Sequence, residues 1–278
     1  MKRVLSVQDI SCVGKCSLTV ALPIISAAGI ETSILPTAVL STHTMFSRFT
    51  FRDLTDDIQG IADHWLEEKI NFDGIYTGYL GSFRQIDLVE KIFEDFQHDG
   101  MLRFVDPAMG DNGKLYPGFD EAFARKMGEL CGKADIIVPN FTEAAFMLGE
   151  EYMADTNYTA DDVKSLLKRL CSLGAPIAAL TGVTLEAGKY GVMAYDSTRD
   201  EYCEYYSEHL PYSFHGTGDV FASACFAALM RDKSLDEALK IAVEFTIAAI
   251  RQTVSAENPI WYGVEFETAI PRLLELLK

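Results

Sequence analysis

The sequence predicts an α/β protein with a parallel sheet covered by helices on both faces. Three observations predict it. Short apolar runs alternate with longer amphipathic ones along most of the chain. Several of the short runs, such as Asp135-Ile136-Ile137-Val138, are nearly continuous in apolar residues, as strands buried on both faces require. Polar or glycine-bearing clusters follow these runs at their carboxyl ends, where open α/β sheets bind ligands.

Taken in order, strands are predicted at residues 4–7, 32–35, 74–77, 102–105, 136–138 and 177–180. Helices are predicted at 17–28, 56–68, 85–98, 119–131, 142–148 and 159–172. After residue 188 the pattern changes. Residues 190–195 and 201–206 alternate and are split by Asp196-Ser197-Thr198-Arg199-Asp200, which reads as a hairpin. The last third is helical. Ser234-Leu235-Asp236-Glu237 is a capping box, because the serine oxygen and the Glu237 carboxylate can each satisfy a free backbone donor. Leu235, Leu239, Ala242, Val243 and Thr246 continue it as a helical stripe. Repeats and linkers are not evident, so a single domain over residues 1–278 is expected.

Forty-nine per cent of the 278 residues are hydrophobic, enough for a large core. Apolar stretches stop well short of the ~18 residues a membrane helix needs, so no membrane association is expected. The opening MKRVLSVQDIS is too soon interrupted by Gln8 and Asp9 to act as a signal peptide and reads as the first strand. A cytoplasmic protein with reduced thiols follows as the expectation. The net charge of −17 argues against non-specific nucleic-acid binding, which needs a basic footprint. It does not oppose a phosphate ligand, since backbone amides hold anions locally. Cys131, Cys171 and Cys225 lie among small or apolar residues and read as core fillers. Cys12 and Cys16 flank Gly14 in a candidate ligand loop, where a reactive thiol is conceivable.

The strongest local signal is His215-Gly216-Thr217-Gly218-Asp219 before the apolar, small-residue segment 220–230. Glycines at 216 and 218 let backbone amides approach a ligand, and the helix start adds partial positive charge. Asp219 is a catalytic-base candidate there; a plain helix cap is the alternative. The motif is neither a dinucleotide fingerprint nor a Walker loop, for it lacks the third glycine and the Gly-Lys-Ser/Thr. Four further clusters end predicted strands: Thr77-Gly78-Tyr79-Leu80-Gly81-Ser82, Asp106-Pro107-Ala108-Met109-Gly110-Asp111, Pro139-Asn140-Phe141-Thr142-Glu143 and Thr181-Gly182. Each could be only a turn, and Glu143 could simply begin a helix. Together they are expected to converge. Asp106, Asp111, Asn140 and Glu143 are hard oxygen ligands suited to Mg²⁺, directly or through water, and phosphoryl transfer needs a metal, an anion cradle and a base.

Those residues, with Val7-Gln8 and Ser41-Thr42-His43-Thr44, resemble the pyridoxal kinases of the ribokinase-like superfamily from residue 4 to about residue 254. The resemblance implies a three-layer α/β/α ribokinase-like sandwich, usually a homodimer, using ATP with Mg²⁺ and often a monovalent cation such as K⁺. It implies phosphorylation of the 5′-hydroxymethyl group of a B6 vitamer, with Asp219 activating that hydroxyl and the amides of Gly216, Thr217 and Gly218 stabilising the transferring phosphoryl group. It places Asp106, Asp111, Asn140 and Glu143 around phosphates and metal, Thr181 and Thr217 on the nucleotide side, and Thr44 and Tyr79 beside the pyridine ring with His43 next to them. Residues 45–53, with Phe46, Phe49 and Phe51, are expected to form a lid or a buried aromatic cluster.

One residue departs from the pattern. Many pyridoxal kinases have serine after the strand-one glutamine, whereas this chain has Asp9, and a carboxylate against the ring is expected to change preference among the vitamers. Hydroxymethylpyrimidine (phosphate) kinase is the nearest alternative; such enzymes tend to carry Gln-Asn-Thr where this chain has Thr42-His43-Thr44. A non-catalytic ligand-binding homologue is the alternative from another class, and the presence of Asp219 counts against it.

Overall fold

The computed structural model describes residues 1–153 and 158–278. In chain order the elements are β1 (Arg3–Val13), α1 (Leu18–Ala27), β2 (Glu31–Thr42), β3 (Phe51–Asp53), α2 (Thr55–Glu67), β4 (Gly74–Thr77), α3 (Phe83–Asp95), β5 (Leu102–Val105), β6 (Gly110–Asp111), β7 (Lys114–Leu115), α4 (Glu121–Cys131), β8 (Ile136–Ile137), α5 (Phe141–Leu148), α6 (Ala160–Cys171), β9 (Ile177–Val183), β10 (Lys189–Asp196), β11 (Glu201–Glu208), α7 (Thr217–Met230), α8 (Leu235–Ser255), a 3₁₀ turn (Glu267–Ala269) and α9 (Ile270–Leu276). The chain divides into two compact units, Met1–Tyr76 with Leu210–Lys278, and Thr77–His209.

In the first unit the strand order is β4-β1-β2-β3. β1 and β2 run parallel, and β3 adds antiparallel to β2. Val4, Leu5 and Val7 are fully buried, as expected of a strand covered on both faces. The predicted strand 4–7 continues to Val13, and its register with β2 shifts between Gln8 and Ile10. The extra residue is on β2, opposite Asp9. α7 is apolar all round and buried along almost its whole length, packing against both α1 and α8. The predicted capping box is present: Ser234 accepts from the Glu237 N–H and Glu237 from the Ser234 N–H.

The second unit orders its main strands β11-β10-β9-β8-β5. β5, β8 and β9 are parallel, while β10 and β11 form the predicted hairpin. Helix starts are set by side-chain caps: Ser82 for α3, Asp120 for α4, Asn140 for α5 and Thr159 for α6. Two of these caps correct the predicted boundaries. The helix expected at 119–131 starts after Asp120, leaving Phe119 outside, and that expected at 85–98 runs from Phe83 to Asp95 because Ser82 caps it. The small β6–β7 hairpin was not predicted; it turns on Asn112-Gly113, both at positive φ. Among the described residues no helix is long and apolar enough to cross a membrane.

Candidate active site

The glycine-rich turn is built as the sequence suggests, in the first unit. Gly216 is left-handed (φ 84°), and a Cβ there would sit 1.6 Å from the Lys15 carbonyl oxygen. Only glycine fits, on both counts. α7 then begins at Thr217, so the N–H groups of its first turn lack helical acceptors, as at helix starts that can bind anions. Asp219 lies in that first turn and accepts a hydrogen bond from the Ser17 backbone N–H. Burial pushes its carboxyl up to about 7, and the charge of Asp9 adds to the rise. A carboxylate with that proton affinity is matched to taking a hydroxyl proton near neutral pH.

Asp9 is 5% exposed, and both oxygens are engaged internally: Ser17 Oγ donates to Oδ1 at 2.5 Å and Ser11 Oγ to Oδ2 at 3.2 Å. Burial raises its pKa, against the two serine hydrogen bonds. The polar contacts of Asp9 among the described residues are thus to the protein. Ser17 itself was expected to open a helix. It stands instead before α1 with φ 52°, a left-handed serine.

His43 is buried. The Met45 N–H donates to Nδ1 at 3.2 Å and Nε2 lies 2.7 Å from the Tyr262 carbonyl, so Nε2 carries the proton. Its ring packs on His215 at 4.4 Å and on Phe46 at 5.0 Å. Burial and neighbouring His43 hold His215 down at about 4. Phe46 also meets Trp261, at 4.5 Å, whereas Phe49 and Phe51 are 44% and 55% exposed, so a buried cluster of all three phenylalanines is ruled out. Thr44 is exposed on the turn after β2. Lys15 pairs with Glu267 and its ammonium lies over the Phe266 ring. The thiol of Cys16 is buried and pushed up by that burial, then by Asp219 and Asp9, which removes it as a reactive thiol; Cys12 is exposed.

The four strand-end clusters all fall in the second unit, and hydrogen bonds tie them together. The Asp106 N–H donates to the Thr77 carbonyl at 2.9 Å and the Thr181 N–H to the Pro139 carbonyl at 3.0 Å. Asn140 caps α5 and donates from Nδ2 to the Gly110 carbonyl at 2.9 Å. Glu143 accepts from the N–H groups of Asn140, at 2.8 Å, and Met109, at 3.2 Å. Burial drives the Glu143 carboxyl well above the usual range, and the charge of Asp106 reinforces it. Asp111 is exposed on the β6–β7 turn and accepts from Asn112, while Tyr79 packs on Phe119 at 5.5 Å.

These donors fit a magnesium ion in one way. The Asn140 amide is committed to its cap and to Gly110, and among the described residues no three His, Cys, Asp or Glu side chains group as a metal cage. What remains is the buried Glu143 carboxyl, raised further by the charge of Asp106, which is also buried. That suits Mg²⁺ held through its waters and a nucleotide's phosphates.

With this fold and these clusters, comparison with known proteins gives the class. The family model described as phosphomethylpyrimidine kinase matches residues 25–261, and the chain belongs to that family. A pyridoxine kinase of Bacillus subtilis is 30% identical over 192 residues, spanning 68% of this chain and 67% of that protein. A phosphomethylpyrimidine kinase structure from Bacteroides thetaiotaomicron, in an orthorhombic form with pyridoxal, is 39% identical with a TM-score of 0.92 over 98% of this chain and 95% of that one. The pyridoxal kinase of Lactobacillus plantarum is 29% identical with a TM-score of 0.90 over 99% of this chain and 98% of that one. The ribokinase-like α/β fold, with its mostly parallel sheet and flanking helices, is thereby established.

Sequence reasoning missed Ser11 and Ser17, the partners of Asp9, and Tyr262, the partner of His43. The spacing Asp9-x-Ser11 on alternate strand positions was the available signal for the first; nothing local marks the other two.

Proposed function

We propose that the protein transfers the γ-phosphoryl group of ATP to the 5′-hydroxymethyl group of pyridoxal, pyridoxine or pyridoxamine. The observation that carries this reading is Asp219: a carboxyl with proton affinity near neutrality, in the first turn of a helix whose amides are free to meet an anion. Asp219 takes the hydroxyl proton as the oxygen attacks the γ-phosphorus. The bond from that phosphorus to the β–γ bridging oxygen breaks, and ADP leaves. The amides of Gly216, Thr217 and Gly218 stabilise the charge on the transferring group. Glu143 and Asp106 would hold Mg²⁺, with Asp111, Asn140 and Thr181 shaping the nucleotide side. Magnesium neutralises phosphate charge in this scheme. His43, Thr44 and Tyr79 contact the vitamer, and residues 45–53 cover it. The resemblance further implies a homodimer and a monovalent cation, to be tested by light scattering and by assay with and without K⁺.

Hydroxymethylpyrimidine (phosphate) kinase is the second reading, favoured by the family model that the chain matches. Steady-state kinase assays with MgATP on the three vitamers and on hydroxymethylpyrimidine, with Asp219→Ala as control, decide. Phosphorylation of a vitamer that the substitution abolishes supports the first reading. Turnover of the pyrimidine alone replaces it with the second. ATP binding without turnover of any of them rejects both and favours a sensor.

A further inference from the structure

Ser17 is unusual twice. It is a non-glycine residue in the left-handed region, and it touches both Asp9 and Asp219. Its hydroxyl donates to Asp9 at 2.5 Å and its backbone N–H donates to Asp219. Its own carbonyl accepts from the N–H groups of Val20 and Ala21, at 3.0 and 2.9 Å, so α1 anchors it. Glycine would take this backbone without cost, whereas serine bears about 1–3 kcal/mol of strain. The hydroxyl on Asp9 explains why serine stands there.

Asp9 is fixed just as firmly. It stands opposite the extra residue of β2, Ser11 and Ser17 occupy its two oxygens, and it is nearly closed to solvent. A group so enclosed acts on the reaction through its neighbours. Its charge raises the proton affinity of Asp219.

We infer that Asp9, Ser17 and Asp219 form a chain, carboxylate to hydroxyl and backbone amide to carboxylate, in which Asp9 and Ser17 are positioning residues for the catalytic base. The inference rests on the kinase reading above. The other titratable groups around the pair are Cys16 from the loop, His43 from the end of β2 and His215 ahead of α7. Cys16 is held neutral by its raised thiol and His215 by its depressed imidazole, while the His43 ring is fixed by the Met45 N–H on Nδ1 and the Tyr262 carbonyl at Nε2. The negative charge of Asp9 is thus what changes when Asp9 is replaced.

The test uses Asp9→Asn, Ser17→Ala and Ser17→Gly, the last keeping the left-handed backbone should Ser17→Ala fold poorly. The titration midpoint of Asp219 is read by carbon-13 NMR of labelled aspartate, assigned with Asp219→Asn, and beside it the acid limb of kcat/KM. Asp9→Asn is expected to move both towards acid by roughly one unit. Ser17→Ala and Ser17→Gly should shift them the same way, with kcat falling and the vitamer KM steady, and the Asp9→Asn/Ser17→Gly pair should be no worse than the stronger single variant. An unmoved midpoint in folded Asp9→Asn overturns the proposal, as does a changed vitamer ranking with an unmoved pH profile. Failure of the wild-type protein to phosphorylate any substrate sinks the kinase reading instead, and the NMR titration still judges the chain.

Discussion

Replacing Asp219 with asparagine should inactivate the protein and stabilise it, and both effects follow from one number. The carboxyl is raised from 3.8 to about 7 in the folded chain. Below pH 4 both folded and unfolded states hold the proton, and the group contributes nothing to the pH dependence. Between 4 and 7 the unfolded chain releases it and the folded chain keeps it, so stability falls as pH rises, at about 1.4 kcal/mol per pH unit. Above 7 both are ionised and the penalty is constant. Its full size is about three units, or about 4 kcal/mol; water reaching the partly open carboxylate lowers that to about 2 to 4 kcal/mol. The asparagine side chain keeps an acceptor for the Ser17 N–H and carries no charge. Urea unfolding of both proteins from pH 4 to pH 8.5 should therefore show a stability gap in favour of Asp219→Asn that opens by that amount. Asp9 and Glu143 also titrate with raised pKa values, but they are common to both proteins and largely cancel in the difference. The kinase rate should drop by about 10²–10⁴. A gap that stays flat across the pH range would refute the argument that burial, rather than use as a cap, governs this carboxyl.

Gly216→Ala should be worse than a simple left-handed alanine, because the Lys15 carbonyl occupies the Cβ position; a loss of about 2–5 kcal/mol is expected from calorimetry. Asn140→Ala removes the α5 cap and the bond to Gly110, and should cost about 1–3 kcal/mol while raising the KM for MgATP more than that for the vitamer. In the native protein a thiol reagent should label Cys12 readily and leave Cys16 unmodified until the chain unfolds, as read by peptide mass spectrometry; early labelling of Cys16 contradicts its burial.

How much of this was legible follows from how local each determinant is. Strand runs such as Ile136-Ile137 and the box Ser234–Glu237 depend on neighbours within four residues, and they are found where the sequence places them. The four strand-end clusters were legible because a parallel sheet sends every strand's carboxyl end to one side, whatever the loops do. Ser17 was not. Its left-handed backbone is imposed by contacts with Asp9 and Asp219, one from a strand and one from a helix some 200 residues on, and a serine before an apolar run reads locally as an ordinary helix start. The same limit hid the partners of Asp9: sequence spacing puts it after Gln8 on the first strand, but its bonds to Ser11 and Ser17 form only in the fold.

Glu143 and Asp219 are held by one device used twice. Glu143 lies in the first turn of α5 and Asp219 in the first turn of α7. In each, backbone N–H groups and the helix start favour the ionised form, burial opposes it more strongly, and a second acid, Asp106 or Asp9, opposes it further. In each, keeping the buried carboxyl ionised costs the folded chain stability. Each leaves a carboxyl whose charge state responds to what binds. A cation beside Glu143 would favour its ionisation, and a hydroxyl losing its proton beside Asp219 would satisfy the proton affinity that burial created. In the proposed reaction, a metal-bound nucleotide would bring positive charge to Glu143 and an alcohol acceptor would bring a proton to Asp219.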